Sequence, residues 1–175
     1  DNDWQNISCG VDGHVLAIKN NGTLWGWGQN NQGQLGLGNS STSITVPTQV
    51  GSNNDWSSIA TGFYYTLFLK TNGTLWSCGL GINGELGNGT NVLAFVPTQI
   101  GTQNNWLKIA SGMKFSAAIN NENKLFTWGE KSSGQLGIGN NINKNVPTQV
   151  NNDTNWDEII LGITHSVAKK NNNSV

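Results

Sequence analysis

The sequence contains no arginine. Its nine basic residues are all lysines, set against ten acidic ones. A nucleic-acid surface ordinarily needs a basic stripe with planar arginine forks, so this composition argues against one. Proline occurs three times and methionine once. The two cysteines, Cys9 and Cys78, are too few for a disulfide framework, and two thiols alone do not make a metal site. Both read as small buried side chains. No stretch is apolar for long enough to cross a membrane. No N-terminal signal pattern opens the chain, so a secreted origin requires a signal outside this sequence. What is abundant is glycine, 23 residues of it, together with asparagine. That composition suits many short strands joined by tight turns.

The chain repeats itself. Tryptophan stands at positions 4, 56, 106 and 156, so copies open 52, 50 and 50 residues apart. Gly10, Gly62, Gly112 and Gly162 each follow six residues later. V-P-T-Q-[VI] recurs around Pro47, Pro97 and Pro147, and a Gly-rich segment recurs at Gln34–Gly38, Glu85–Gly89 and Gln135–Gly139. The copies run approximately 4–55, 56–105 and 106–155, with an incomplete one at 156–170, in a single domain over 1–175. Within a copy every segment reads as β. Trp56–Ala60 is a first short strand, after which Gly62 allows a turn. Tyr65–Lys70 is a continuous apolar run of buried-strand length. Thr71-Asn72-Gly73 is a hairpin signal, because Asn and Gly accept positive φ. Leu75–Cys78 returns as the third strand. Val96–Ile100 is the fourth, with Pro97 tolerated at its start. Four short strands per fifty residues is the arithmetic of a β-propeller blade. The expected fold is all-β, with blades of four antiparallel strands forming a partial ring.

The repeat resembles that of the regulator of chromosome condensation family. The first copy carries the pattern as Trp4, Ile7, Gly10 and His14, then Asn21-Gly22-Thr23-Leu24-Trp25-Gly26-Trp27-Gly28. It continues as Gly33-Gln34-Leu35-Gly36-Leu37-Gly38 and Val46-Pro47-Thr48-Gln49-Val50. Proteins with this repeat generally form seven-bladed propellers, which need roughly twice this length. The resemblance therefore leaves three arrangements open: a longer chain, two chains completing one ring, or an open edge covered by a partner. An uncovered strand edge is an aggregation hazard. Copies depart from the pattern by exchanging bulk for bulk. The family's histidine is His14 and His165 here but Tyr65 and Phe115 in the middle copies, and the tryptophan pair is broken by Cys78 and Phe126. These swaps fit structural positions better than catalytic ones.

Candidate chemistry is thin. The Gly-rich segments lack the helix and Lys-Ser/Thr of a phosphate-binding loop. Asn151-Asn152-Asp153 lacks the ligand spacing of a calcium loop. Paired carboxylates for glycoside cleavage cannot be placed across a cleft. Asn21-Gly22-Thr23 and Asn72-Gly73-Thr74 match a glycosylation acceptor but stand where hairpin turns are required. The tryptophans repeat too strictly to be stacking platforms and read as packing between blades. No catalytic residue, cofactor or metal is expected.

The variable positions just after the repeated glycine are more informative: Val11-Asp12, Phe63-Tyr64, Met113-Lys114 and Ile163-Thr164. Large apolar residues in loops point to an exposed patch. Phe63, Tyr64, Met113 and Lys114 are therefore the candidate partner contacts. The expected function is a non-catalytic protein-binding scaffold, part of a larger secreted or cell-surface bacterial protein. Self-association or the remaining blades of a longer chain are further partners. The resemblance also implies guanine-nucleotide exchange on a small GTPase, although no long insertion supplies a wedge. Enzyme inhibition through aromatic loops, carbohydrate binding and a structural surface role complete the alternatives.

Overall fold

The computed structural model describes residues 2–139 and 142–171. Asp1, Asn140, Asn141 and the final segment 172–175 lie outside the described residues. Among the described residues, fourteen strands form three four-stranded antiparallel sheets and one two-stranded sheet. The first blade comprises β1 (Trp4–Cys9), β2 (His14–Lys19), β3 (Leu24–Gln29) and β4 (Ser43–Gln49). The second comprises β5 (Trp56–Thr61), β6 (Tyr65–Lys70), β7 (Leu75–Gly79) and β8 (Ala94–Gln99). The third comprises β9 (Trp106–Ser111), β10 (Phe115–Asn120), β11 (Leu125–Gly129) and β12 (Lys144–Gln149). The fourth copy supplies β13 (Trp156–Leu161) and β14 (Ser166–Lys170). Each sheet pairs its strands in sequence order, so the chain meanders outward through a blade and crosses to the next. Propeller blades are built in this way.

The core lies between blades. Trp56 packs with Leu16, Ile18, Leu24, Leu35 and Val50 of the first blade and with Phe68 and Cys78 of its own. Trp106 does the same between the second and third blades, against Tyr65, Leu67, Leu75, Leu86 and Trp128. Ala117, Ile119 and Leu125 meet Trp156, Ile159 and Ala168 at the third junction. Every residue of β6 and β10 is buried, because these strands are covered by a blade on each side. That is why Tyr65–Lys70 reads as a strand of buried length. Stability is correspondingly distributed over nearest-neighbour junctions, as in other repeat proteins.

Lys19, Lys70 and Lys170 extend their stems over the blade-opening tryptophans. Lys70 Nζ lies 4.7 Å from the Trp56 ring centroid and 4.8 Å from that of Trp76, and 2.9 Å from Asp55. In the third blade Asn120 stands at the lysine position, Asn105 at that of Asp55 and Phe126 at that of Trp76. The cation, its counter-charge and one indole are thus exchanged together, leaving an edge-to-face Trp106–Phe126 pair at 5.0 Å.

Two local expectations, on Pro97 and on Cys9, are corrected. Gly62 does stand in the turn between β5 and β6, but neither it nor Gly10, Gly112 or Gly162 adopts positive φ. They are glycine because a ring lies on them: a Cβ on Gly62 would sit 1.9 Å from the Tyr65 ring, and one on Gly112 2.3 Å from that of Phe115. Pro97 falls inside β8, not at its start. The ladder between β7 and β8 shifts register between Ser77 and Gly79, and β8 is an outer edge strand, where a missing N–H costs little. Cys78 is buried, and burial pushes its thiol well up, but Cys9 is exposed. Cys9 alternates with Gln5 and Ile7 on the uncovered face of β1.

Candidate functional site

The innermost strands are β1, β5, β9 and β13, which meet across blades. Ser8 Oγ lies 2.8 Å from Thr61 Oγ1, and Ser111 Oγ donates to the Ala60 carbonyl at 3.0 Å. Lys108 Nζ bonds Asp157 Oδ1 at 2.9 Å. Because these strands run parallel from blade to blade, their C-terminal ends gather at one mouth of the propeller. There the segments after the four repeated glycines line a single hollow of about 270 Å³. Val11, Phe63, Met113 and Ile163 form its apolar rim, with Thr61, Ser111 and Leu161 below. The Phe63 N–H donates to the Met113 carbonyl at 3.1 Å, tying two rim segments together.

Of the four candidate contacts, Phe63 and Met113 line this mouth. Both are half-buried. Tyr64 stands beside it, its ring 4.1 Å from that of Phe63. Lys114 turns away to Glu130, at 3.9 Å. The strongly exposed rim residues are Val11, at 80 %, and Ile163, at 63 %. Both are smaller than the aromatic side chains that mark the second copy. Their shared register after the repeated glycine was the signal that locates them.

Beneath the rim lies a polar line. His14 Nδ1 bonds Asp12 Oδ1, whose second oxygen accepts from Gln34 Nε2 at 2.6 Å. His14 Nε2 lies 3.2 Å from Thr66 Oγ1 in the next blade. An acid, an imidazole and a hydroxyl in series is the layout of a nucleophilic triad. Here it cannot attack a substrate: Thr66 is wholly buried, and its hydroxyl donates to the Gln34 carbonyl at 2.8 Å. The line holds two blades together. In the third blade, Gln135 keeps its Oε1 bond from the Ser133 N–H at 2.8 Å. The second blade carries Glu85 at this position. Burial pushes its carboxyl up, against smaller downward pulls from hydrogen bonds, including those of Asn83, and from Lys114.

Comparison with known proteins decides the family. The profile described as "Regulator of chromosome condensation (RCC1) repeat" matches residues 21–69, 72–119 and 122–168, and a second profile of the same description matches 4–34 and 56–85. The chain belongs to the RCC1 repeat family. Among relatives, the X-linked retinitis pigmentosa GTPase regulator homolog of Caenorhabditis elegans is 35% identical over 86 residues, 47% of this chain and 6% of that protein. The ultraviolet-B receptor UVR8 of Arabidopsis thaliana is 35% identical over 81 residues, 45% of this chain and 18% of that protein. Among solved structures, Prp20p of Saccharomyces cerevisiae, described with its binding to Gsp1p and histones, superimposes with a TM-score of 0.85 at 24% identity. That superposition covers 95% of this chain and 43% of Prp20p. Human WBSCR16 gives 0.82 at 27% identity, covering 94% and 44%. The chain thus spans less than half of each of these two solved chains. RCC1 blades account for the fold, and no helix of the described residues is long and apolar enough to cross a membrane.

Proposed function

We propose that this RCC1-type propeller is a non-catalytic binding module that docks a partner protein at the mouth rimmed by Val11, Phe63, Met113 and Ile163. One observation carries the reading: four successive copies contribute an apolar residue at the same register to one hollow. Apolar groups at loop tips have no role in blade packing, and gathered into a concave patch they make a recognition surface. Tyr64 flanks the patch, its ring against that of Phe63. The burial of Thr66 supports a role without catalysis. Sparse charge and an Asn/Thr/Gly-rich surface support a secreted or cell-surface setting of bacterial type.

Parallel affinity capture from the source cells tests this reading, using wild-type protein and the Phe63→Ala/Met113→Ala variant. A protein retained by the wild type and released by the variant, with folding intact, supports it. An identical captured set overturns it. A second reading, regulation of a small GTPase, is favoured by the similarity to a GTPase regulator homolog. Acceleration of nucleotide release from a GTPase panel would establish that reading in place of passive docking.

A further inference from the structure

The turn after a blade's first strand and the loop after its third leave from the same end of the sheet, because the strands pair antiparallel in sequence order. In the second blade these are the β5–β6 turn, with Phe63 and Tyr64, and the β7–β8 loop over 80–93. The two are joined. The Leu80 N–H donates to the Tyr64 carbonyl at 2.8 Å, and the Phe63 and Tyr64 rings lie 4.1 Å apart. Further out, Asn91 Nδ2 donates to the Ile82 carbonyl at 3.2 Å. Asn91 Oδ1 in turn accepts from Asn145 Nδ2 of the third blade at 2.9 Å. Phe63, Tyr64, Leu80, Ile82, Val92 and Leu93 thus make an apolar track from the mouth toward the perimeter. Its inner three residues are half-buried. Ile82, Val92 and Leu93 are 57%, 62% and 37% exposed.

The other blades do not repeat this track. Strand pairing sets Gly28, Gly79 and Gly129 at one register position and Ile44, Ala94 and Lys144 at another. Counted from these, Leu80, Ile82, Val92 and Leu93 correspond to Gln29, Asn31, Thr42 and Ser43 in the first blade. In the third blade they correspond to Glu130, Ser132, Ile142 and Asn143. Repeats of one fold share their packing demands, so blade packing does not ask for four apolar residues in the second blade alone. Exposed apolar residues gathered together mark an interaction surface.

The main chain along the track is already in use. The Phe63 N–H bonds the Met113 carbonyl, the Leu80 N–H bonds that of Tyr64, and the Gly81 carbonyl accepts from the Gly84 N–H at 2.9 Å. An added strand needs a row of free donors and acceptors, which these segments do not offer. A helix arrives with its main chain bonded internally and presents side chains alone. The track carries no charge, whereas the same path in the third blade holds the Lys114–Glu130 pair.

We propose that the track of the second blade seats an amphipathic helix of a partner protein, with the helix's uncharged apolar face against it. Four strands at about 4.8 Å spacing make a path of about 14 Å. Roughly ten helical residues at about 1.5 Å rise cover it, with apolar anchors at i, i+3 or i+4, and i+7. This rests on docking at the mouth, which is the inner end of the track, and gives the partner's shape.

Two phage-displayed peptide libraries of equal size test it. One varies apolar residues at i, i+3, i+4 and i+7 on an Ala/Glu/Lys helix. The other varies them at alternate positions on a Thr/Lys background. The expected result is enrichment of the helical library alone, with binding of its selected peptides reduced at least about tenfold by Ile82→Ser/Val92→Ser. Both residues are exposed, so this variant should melt with the wild type. Enrichment of the alternating library, of neither library, or of helical peptides indifferent to Ile82→Ser/Val92→Ser would each overturn the proposal. Val11→Ser/Ile163→Ser separates the two readings. Helical peptides lost with that variant but kept by Ile82→Ser/Val92→Ser leave docking at the mouth standing and remove the track. The reverse pattern keeps the track and removes the mouth. Dimerisation of the protein abolished by Ile82→Ser/Val92→Ser, measured by light scattering, would give the surface to a second copy of the chain and overturn the helix.

Discussion

Nε2 of His14 lies 3.2 Å from Oγ1 of Thr66, across the boundary between two blades. The same junction recurs with changed chemistry. Ser116 Oγ lies 3.0 Å from the Tyr65 hydroxyl and 2.8 Å from the Glu85 carbonyl. Ser166 Oγ donates to the Gln135 carbonyl at 2.9 Å, with Phe115 at the ring position. The constant element is a hydroxyl on the second strand of the second, third and fourth copies that bonds the Gly-rich segment of the blade before. The ring that joins it is free to vary.

Thr66→Val should therefore destabilise the protein by about 1–3 kcal/mol, because a His14 nitrogen loses its Thr66 partner inside the junction and the Gln34 carbonyl keeps only the weak Cys78 thiol donor. Urea unfolding measures this. His14→Phe copies the third blade, and in the double variant the two losses should not add, as expected for residues in contact.

Glu85→Gln should raise thermal stability at neutral pH. Burial raises the Glu85 carboxyl above its unfolded value, so the folded protein holds that proton more tightly than the unfolded chain does. Stability then falls as pH climbs from the unfolded pKa to the folded one and stays lower above it. Glutamine keeps the acceptor that Glu85 Oε2 offers the Asn83 N–H at 2.7 Å, as Gln34 does for the Gln32 N–H at 2.9 Å. Melting curves across this interval should show the fall in wild type and its loss in the variant.

The strand order and blade-junction packing were legible in the sequence because each junction reuses the same residues. The tryptophans at positions 4, 56, 106 and 156 and the apolar run Tyr65–Lys70 mark them. Asn72-Gly73-Thr74 reads as a turn, and the structure shows how it works: Asn72 Oδ1 accepts from the Thr74 N–H at 3.1 Å and from its hydroxyl at 2.7 Å. Two things were not legible. Gly62 serves the ring of Tyr65, three residues on, which folds back over it, a close approach that turn propensity alone does not reveal. Val11 and Ile163 lie far apart in the chain, and only ring curvature brings them to one hollow.

Gly62→Ala should cost several kcal/mol, about the size of a severe overpacking defect, because the new Cβ would sit 1.9 Å from the Tyr65 ring. Differential scanning calorimetry checks this. Gly134→Ala is the informative contrast. It has positive φ, but nothing lies within 4 Å of its Cβ position, so it should lose about 1–2 kcal/mol from backbone strain alone.

Lys70→Met keeps an apolar stem and removes the cation from between Trp56 and Trp76. The expected loss is about 1–2 kcal/mol for a largely desolvated cation–π contact with its Asp55 counter-charge. Asn120→Lys in the third blade should not restore an equal gain, since neither Asp nor a second tryptophan waits there. Chemical denaturation of the two variants makes the comparison.

Binding of a captured partner to a Val11→Ser/Ile163→Ser variant separates docking at the apolar mouth from docking elsewhere on the propeller. Both residues are exposed, so the melting temperature should stay close to that of the wild type. Isothermal titration should show affinity reduced by about tenfold or more, the scale for losing core contacts of an interface. Unchanged affinity in the folded variant would contradict docking at the mouth.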